Sequence, residues 1–415
     1  MSGPSGSIAT APPAPPTSRG PFRATAVALA VTAFGAGVPT PLYAVYESEY
    51  HFSAAVLAAV FAAYTLGVVI TMVFVAPLSD AIGRRPILIV GLLLTAASGV
   101  AFVVAQGVAT LALARVISGL SVGATTSTAT AAMAGLEPRG DQHHVARVSV
   151  AANFGGVATG VLLSGLLVEY LPLPTTLVYL VLVGAGGLGA VLVVRTPETA
   201  EIARPRPRVR IQRLRVPAAV ALPFAVAAGA LAGCYSIYGF FAALAPTVLR
   251  TEFMIGNRAA AAAVVAIMFG LAALVQLALA RVRDRRALLL GLPIVAAGTV
   301  AILVAVATGS LLELGVGAAV LGTGVGCAYM GSVTLIDRVA PDARRGEILS
   351  AFFLVGYLAL AVPTIGIGVA ADAYGIGAAG FGFGVVLLLF SIALALAVRR
   401  TPTPAGGEGR PRGTP

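Results

Sequence analysis

Leu78-Ser79-Asp80-Ala81-Ile82-Gly83-Arg84-Arg85-Pro86 is a short charged break between two long apolar runs. Residues 54–76 before it and 87–106 after it carry no charge. Each run is about the ~20 residues that cross a hydrocarbon layer as a helix. A polar break this short between two spans is a tight turn at one membrane face, and its charges are held against helix ends.

The rest of the chain reads the same way. Hydrophobic residues make up 58% and charged residues 10%, far below the ~25% charged of soluble domains. Twelve apolar runs stand out, at 22–44, 54–76, 87–106, 109–134, 145–170, 174–194, 217–248, 259–280, 287–307, 310–335, 346–371 and 376–398. Only the segment 196–216 is a longer, strongly charged connection, so the spans divide six and six: residues 22–195 and 217–398 as two bundles, with Pro/Gly-rich tails at 1–21 and 399–415 expected to be disordered. The first run is longer than a signal-peptide core and is read as a retained helix.

The formal charge of +11 does not point to nucleic acid. Every basic residue is Arg, and nearly all lie between alternate pairs of spans. Arg84 and Arg85 follow span two, Arg139 and Arg147 span four, the run Arg195 to Arg215 span six, Arg281 to Arg286 span eight, and Arg338, Arg344 and Arg345 span ten. The opposite loops hold only Arg250 and Arg258. This is the positive-inside asymmetry. It places both termini and the central loop in the cytoplasm of a multi-pass plasma-membrane protein, with anionic lipid as the counterion. Cys234 and Cys327 sit inside apolar runs as small filler. No Cys/His/acid cluster has metal-ligand spacing and no phosphate loop is present, so no metal or cofactor is expected.

The two halves repeat at an offset of 203 residues: Gly119 meets Gly322, Gly123 meets Gly326, Pro138 meets Pro341 and Gly165 meets Gly368. Arg84-Arg85-Pro86-Ile87-Leu88 has a blurred counterpart in Arg285-Arg286-Ala287-Leu288-Leu289, one gap aside. Duplication across a central loop fits two bundles rocking about a site near the midplane.

With twelve spans, a six-plus-six repeat and the hinge, the chain resembles the major facilitator superfamily from Phe22 to Arg400. The family hinge reads G-x-L-x-D-x-x-G-R-[KR]. Leu78, Asp80, Gly83, Arg84 and Arg85 match it, and Ala76 replaces the first Gly. The resemblance implies an all-α membrane protein of twelve transmembrane helices in two pseudo-symmetric six-helix bundles. It also implies that Asp80 contacts the start of span eleven, near Gly346-Glu347-Ile348, when the cytoplasmic gate is shut. A carboxylate suits a helix N-terminus, which carries free N–H groups and partial positive charge. Gly83 permits the turn, and Glu137 at the end of span four is the expected carboxylate partner of Arg84 and Arg85.

Arg115 is the one charge well inside a span, where its cost is roughly 2.5–3.5 kcal/mol on insertion scales. It faces a cavity or partner, or snorkels to the outer interface. Arg115, Gly119 and Gly123 resemble the family's helix-four pattern, and the two glycines make a small-residue packing face. Its repeat counterpart is Ala318. In proton-coupled members of the family the equivalent Arg tunes a nearby acid; here the nearest are Glu47 and Glu49, just beyond span one. The other polar groups expected to line a cavity are Asn153, Tyr235, Tyr238, Gln276, Tyr329 and Tyr357, with Tyr43, Tyr46 and Tyr64 further along; Tyr residues also mark membrane interfaces. Gly156 and Gly160 have the spacing of a helix-five efflux motif, but Val161 stands where that motif has Pro. Pro39, Pro41, Pro246 and Pro363 lie in or near span ends and are candidate kinks.

These features point to a monomeric, non-enzymatic secondary transporter. The lead reading is efflux of a small amphipathic or hydrophobic compound by alternating access, in exchange for protons. The alternatives are uptake of a small anionic metabolite drawn by Arg115 and, from another class, a non-transporting membrane receptor.

Overall fold

The computed structural model describes residues 19–74, 82–200, 216–279, 286–341 and 344–400. Within them the chain is helical and holds no strand. Largely apolar segments leave the backbone little water to bond, so the N–H and C=O groups within each helix interior pair along the helix itself.

The first half comprises α1 (Gly20–Gly37), α2 (Tyr43–Tyr50), α3 (Ala54–Phe74), α4 (Arg84–Val103), α5 (Val108–Leu136), α6 (Gln142–Tyr170) and α7 (Leu177–Val194). The second comprises α8 (Ala221–Ala243), α9 (Ala245–Thr251), α10 (Arg258–Leu279), α11 (Arg286–Thr308), α12 (Leu311–Val339), α13 (Arg345–Tyr374) and α14 (Ile376–Arg400). Eleven of the described helices are long and apolar enough to cross a membrane.

The expected first span, 22–44, is not one helix. It stops after Gly37, passes through turns at 38–42 and restarts as the short α2. Pro39 and Pro41 lack the N–H that a continuing helix needs. The 18 residues of α1 rise only about 27 Å, short of the ~30 Å hydrocarbon core, and α2 extends the path. The seventh span, 217–248, divides at the corresponding place, with α8 ending at Ala243 and α9 carrying Pro246 in its first turn. The repeat therefore includes the broken ends of its first helices, away from the hinge.

Helix faces meet through small residues. Within each half α5 packs on α3 and α4, α1 on α6, α12 on α10 and α11, and α8 on α13. Two pairs make the main contacts between the halves, α6 with α10 and α3 with α13, and the repeat exchanges one pair for the other. The largest buried apolar cluster contains residues of both halves, Leu57, Val161, Ile237 and Met268 among them. Two smaller clusters lie towards the hinge face and each stays within one half: Phe22, Leu88, Met133 and Val145 in the first, Ala227, Ile336 and Phe352 in the second. The bundles share a core away from the hinge and keep separate cores near it.

Candidate transport pathway and hinge

The head of α4, just after the hinge, is capped by an acid that sequence spacing does not reveal. Glu198, just past α7, accepts hydrogen bonds from the backbone N–H groups of Arg84 (2.8 Å) and Arg85 (3.0 Å) at the head of α4. The same carboxylate accepts from Thr199 N and Ala200 N, both at 2.9 Å. Burial pushes the Glu198 carboxyl up, but the N–H bonds from Ala200, Arg84, Arg85 and Thr199 outweigh it and hold its pKa below the usual value. Gly83 precedes α4 with φ 109°, and a Cβ there would lie 2.5 Å from Glu198 Oε2. Both the backbone angle and the carboxylate demand glycine.

The expected partnership of Glu137 with Arg84 and Arg85 is not what forms. Glu137 ends α5, and its carboxylate turns back on the next loop, accepting from Arg139 N (2.7 Å) and Asp141 N (2.8 Å) and lying 3.4 Å from His144 Nδ1. Those N–H groups are only two and four residues away and reach it first. The N–H bond from Asp141 is the main cause of its lowered pKa. The Arg84 guanidinium instead donates to the Ala131 carbonyl on α5 at 3.0 Å. Asp80, Ala76 and Leu78 lie outside the described residues.

Arg115 is enclosed, 1% exposed, and does not snorkel. Its Nε donates to the Tyr43 hydroxyl and one terminal nitrogen to the Ala36 carbonyl at 3.3 Å. The rings of Tyr43, Phe61 and Tyr64 stand 5.1, 5.5 and 5.6 Å from the guanidinium carbon, within cation–π range. Nη2 is buried and has no hydrogen-bond partner among the described residues. No carboxylate there pairs with the charge, so aromatic faces and the broken end of α1 carry the compensation. The break after Gly37 makes this possible, because α2 presents Tyr43 to α5.

An aromatic cluster lies where the halves meet. Phe154 on α6 reaches across to Tyr238 on α8 (5.7 Å between centroids) and Tyr329 on α12 (5.5 Å). Tyr238 stacks on Phe269 at 5.0 Å and meets Tyr235 at 6.0 Å, and Tyr235 meets Tyr357 on α13 at 5.3 Å. Tyr235, Tyr238, Tyr329 and Tyr357 are thus brought together by α8, α12 and α13, while Arg115 sits among Tyr43, Phe61 and Tyr64 of the first half. The Tyr238 hydroxyl and both amide atoms of Gln276 are buried with no partner among the described residues. Asn153 is half-buried beside Phe154. Phe154 carries no polar label in the sequence; its adjacency to Asn153 is the only hint.

The glycines set the approach of the helices. A Cβ at Gly119 would strike the Tyr64 carbonyl, and one at Gly123 the Thr71 side chain, both on α3. Gly322 and Gly326 face Met268 and Ala272 on α10 in the same manner. Gly156 and Gly160 lie against Ala30 and Phe34 of α1.

The face opposite the hinge is laced across the two halves. Glu169, at the end of α6, accepts from Arg258 N at the head of α10 (2.9 Å). Asp372, at the end of α13, accepts from Ala55 N at the head of α3 (3.3 and 3.4 Å). Each of these contacts is the image of the other, since 169 and 55 become 372 and 258 at the offset of 203. Between them Glu47 on α2 accepts from Arg250 Nη2 and Thr247 Oγ1 on α9, both at 3.0 Å, and positions 47 and 250 are also repeat equivalents.

Two duplicated helical bundles, broken first helices and an aromatic cluster between the halves define a membrane carrier. The chain matches the model of the Major Facilitator Superfamily over residues 25–364 and belongs to that family of membrane transporters. No curated protein matches the chain.

Proposed function

We propose that this transporter exports small amphipathic or hydrophobic compounds from the cytoplasm across the plasma membrane, exchanging them for protons. The aromatic cluster between the halves carries the reading. Phe154 from one half meets Tyr238 and Tyr329 of the other, so a flat apolar solute entering between the bundles replaces ring–ring contacts with ring–solute contacts. The unpartnered Tyr238 hydroxyl and Gln276 amide offer a few directional hydrogen bonds, as an apolar pocket with sparse polar groups does. The arginine-rich hinge face is the cytoplasmic one on the positive-inside rule.

Proton exchange runs through α2. Tyr43, which holds Arg115, and Glu47, which holds Arg250, are one turn apart on this eight-residue helix. Protonation of Glu47 from outside removes its charge, releases Arg250 and Thr247, and frees the outer face to part. Deprotonation on the return restores the pair.

A second reading follows from Arg115 alone. A buried guanidinium with an unpartnered Nη2 and no carboxylate suits an anionic solute, whose charge would complete it.

Reconstituted vesicles with an imposed pH gradient separate the two readings. Flux of hydrophobic cations and neutral dyes, lost about tenfold in Phe154→Ala, supports export of amphipathic compounds. Glu47→Gln should keep substrate binding while removing the dependence on the gradient. Flux confined to one class of organic anion, abolished by Arg115→Gln and indifferent to Phe154→Ala, overturns the first reading in favour of the second.

A further inference from the structure

The head of the first bundle carries a cavity of about 860 Å³ at the hinge face, lined by α1, the α5–α6 loop and the start of α6. Four guanidiniums border it: Arg19 just before α1, Arg23 on α1, Arg139 in the loop and Arg147 on α6. None of them is in an ion pair among the described residues. Two carboxylates share the cavity, Glu137 and Asp141, and both are turned to backbone N–H groups. Glu137 accepts from Arg139 N and Asp141 N, and Asp141 from His143 N and His144 N. Four arginines against two carboxylates leave two positive charges in excess, and the imidazole of His144 is stacked on Phe22 at 5.1 Å.

Directly above this head the same helix faces turn apolar. From just before α1 the stripe runs Arg19, Arg23, Val27, Val31; on α6 it runs Arg147, Ala151, Gly155, Thr159, each step one helical turn. Between the upper parts of these stripes lies an open groove of about 510 Å³, walled on its third side by Val181 and Ala185 of α7. Val27 borders both the basic head and the apolar groove, so the two are continuous. A Cβ placed on Gly155 meets nothing within 4 Å, so the groove floor is open there.

A phosphate-sized anionic head joined to an acyl tail matches this shape and charge. We propose that the first bundle binds one anionic phospholipid, its phosphodiester among Arg19, Arg23, Arg139 and Arg147 and one acyl chain along the α1/α6/α7 groove. Basic pockets between membrane helices recognise acidic headgroups in this way, and Arg suits them through its planar donor fork. The inference rests on the membrane-embedded, arginine-inside reading of the chain, but not on what the protein carries.

The test is binding, measured without transport. The full chain, purified in detergent, is titrated with phosphatidylglycerol or phosphatidylcholine of identical acyl chains and examined by native mass spectrometry. The anionic lipid should be retained at least about tenfold better. Arg23→Gln with Arg147→Gln should weaken it about thirtyfold, as expected for two lost headgroup charges. The same charge loss at Arg338→Gln with Arg399→Gln, outside the cavity, should change it little. Gly155→Leu projects a side chain into the groove from a position where a Cβ meets no neighbour within 4 Å, and should weaken the lipid while the thermal unfolding midpoint in lipid-free detergent stays put, which separates a lost site from a damaged fold. Equal retention of the two lipids, equal weakening by the two arginine pairs, or displacement of the lipid by water-soluble glycerol phosphate at matched concentration overturns the proposal. The last outcome would make the head a free phosphoester site.

Discussion

At the residue scale, the hinge turns on Glu198. One carboxylate satisfies two of the orphan N–H groups at the start of α4 and two in its own loop, which is the work of an N-cap side chain performed from a different segment. Glu198→Gln should cost about 1 kcal/mol of stability at neutral pH, the usual worth of a helix cap, read as a lowered thermal midpoint. Because the folded pKa is depressed, this stability is present above the unfolded carboxyl value of about 4.3 and is lost as pH falls through the folded pKa. The midpoints of wild type and variant should therefore converge in acid; a constant gap down to low pH would assign the effect to packing rather than charge. Gly83→Ala should be worse than Glu198→Gln, since it adds a positive-φ penalty to the clash with the same carboxylate.

At the element scale, glycine decides how close helices come. Lipid offers no hydrophobic drive between helices, so close backbone approach supplies the adhesion. Gly67 and Gly119 interlock at the α3–α5 crossing: a Cβ on either would strike a backbone carbonyl of the other helix. Gly119→Leu should abolish folded expression or shift the unfolding midpoint down by the equivalent of more than about 3 kcal/mol, the upper range for overpacking. Gly184, on an exposed face of α7 with nothing within 4 Å of a Cβ, is the control. Gly184→Ala should be neutral or stabilise by up to about 1 kcal/mol, because it trades backbone freedom for helix propensity. Equal losses in the two variants would mean that helix content, not approach distance, sets the cost. The sequence shows both glycines alike; only the crossing point distinguishes them. The same holds for the first helix, where Pro39 and Pro41 advertise a disturbance, yet its consequence, a separate α2 holding Tyr43 against Arg115, follows from tertiary packing.

At the scale of the whole molecule, the face opposite the hinge is shut by contacts that obey the repeat. Glu169 on the head of α10 and Asp372 on the head of α3 are symmetric carboxylate caps, and Glu47 pairs with its own repeat equivalent, Arg250. Two like caps acting on one equilibrium should contribute comparably. Glu169→Gln and Asp372→Asn should each shift the population towards a state open at this face by about fivefold, and together by about thirtyfold, taking about 1 kcal/mol per charged cap. Electron spin–spin distances between labels on the ends of α6 and α10 at this face, in a background with Cys234 and Cys327 replaced by Ser, would report the shift. No change in that distance distribution in the double variant would remove these caps from the gate. The shared core away from the hinge and the separate cores near it join the halves mainly on the side opposite the hinge.

Composition, span lengths and the offset of 203 residues were enough to read a duplicated helical membrane protein, and the hinge motif its likeness to a transporter family, because apolar length and charge placement are local properties that a bilayer reads directly. Which groups meet was not local. Glu137 spends its carboxylate on its own loop while Glu198, 114 residues from Arg84, caps the hinge helix. Arg115 is held by aromatic faces rather than by an acid or by the interface, and Phe154 closes the aromatic cluster from across the halves. Those partnerships depend on helix rotation and crossing distance, and a one-dimensional pattern does not encode either until the two bundles are packed.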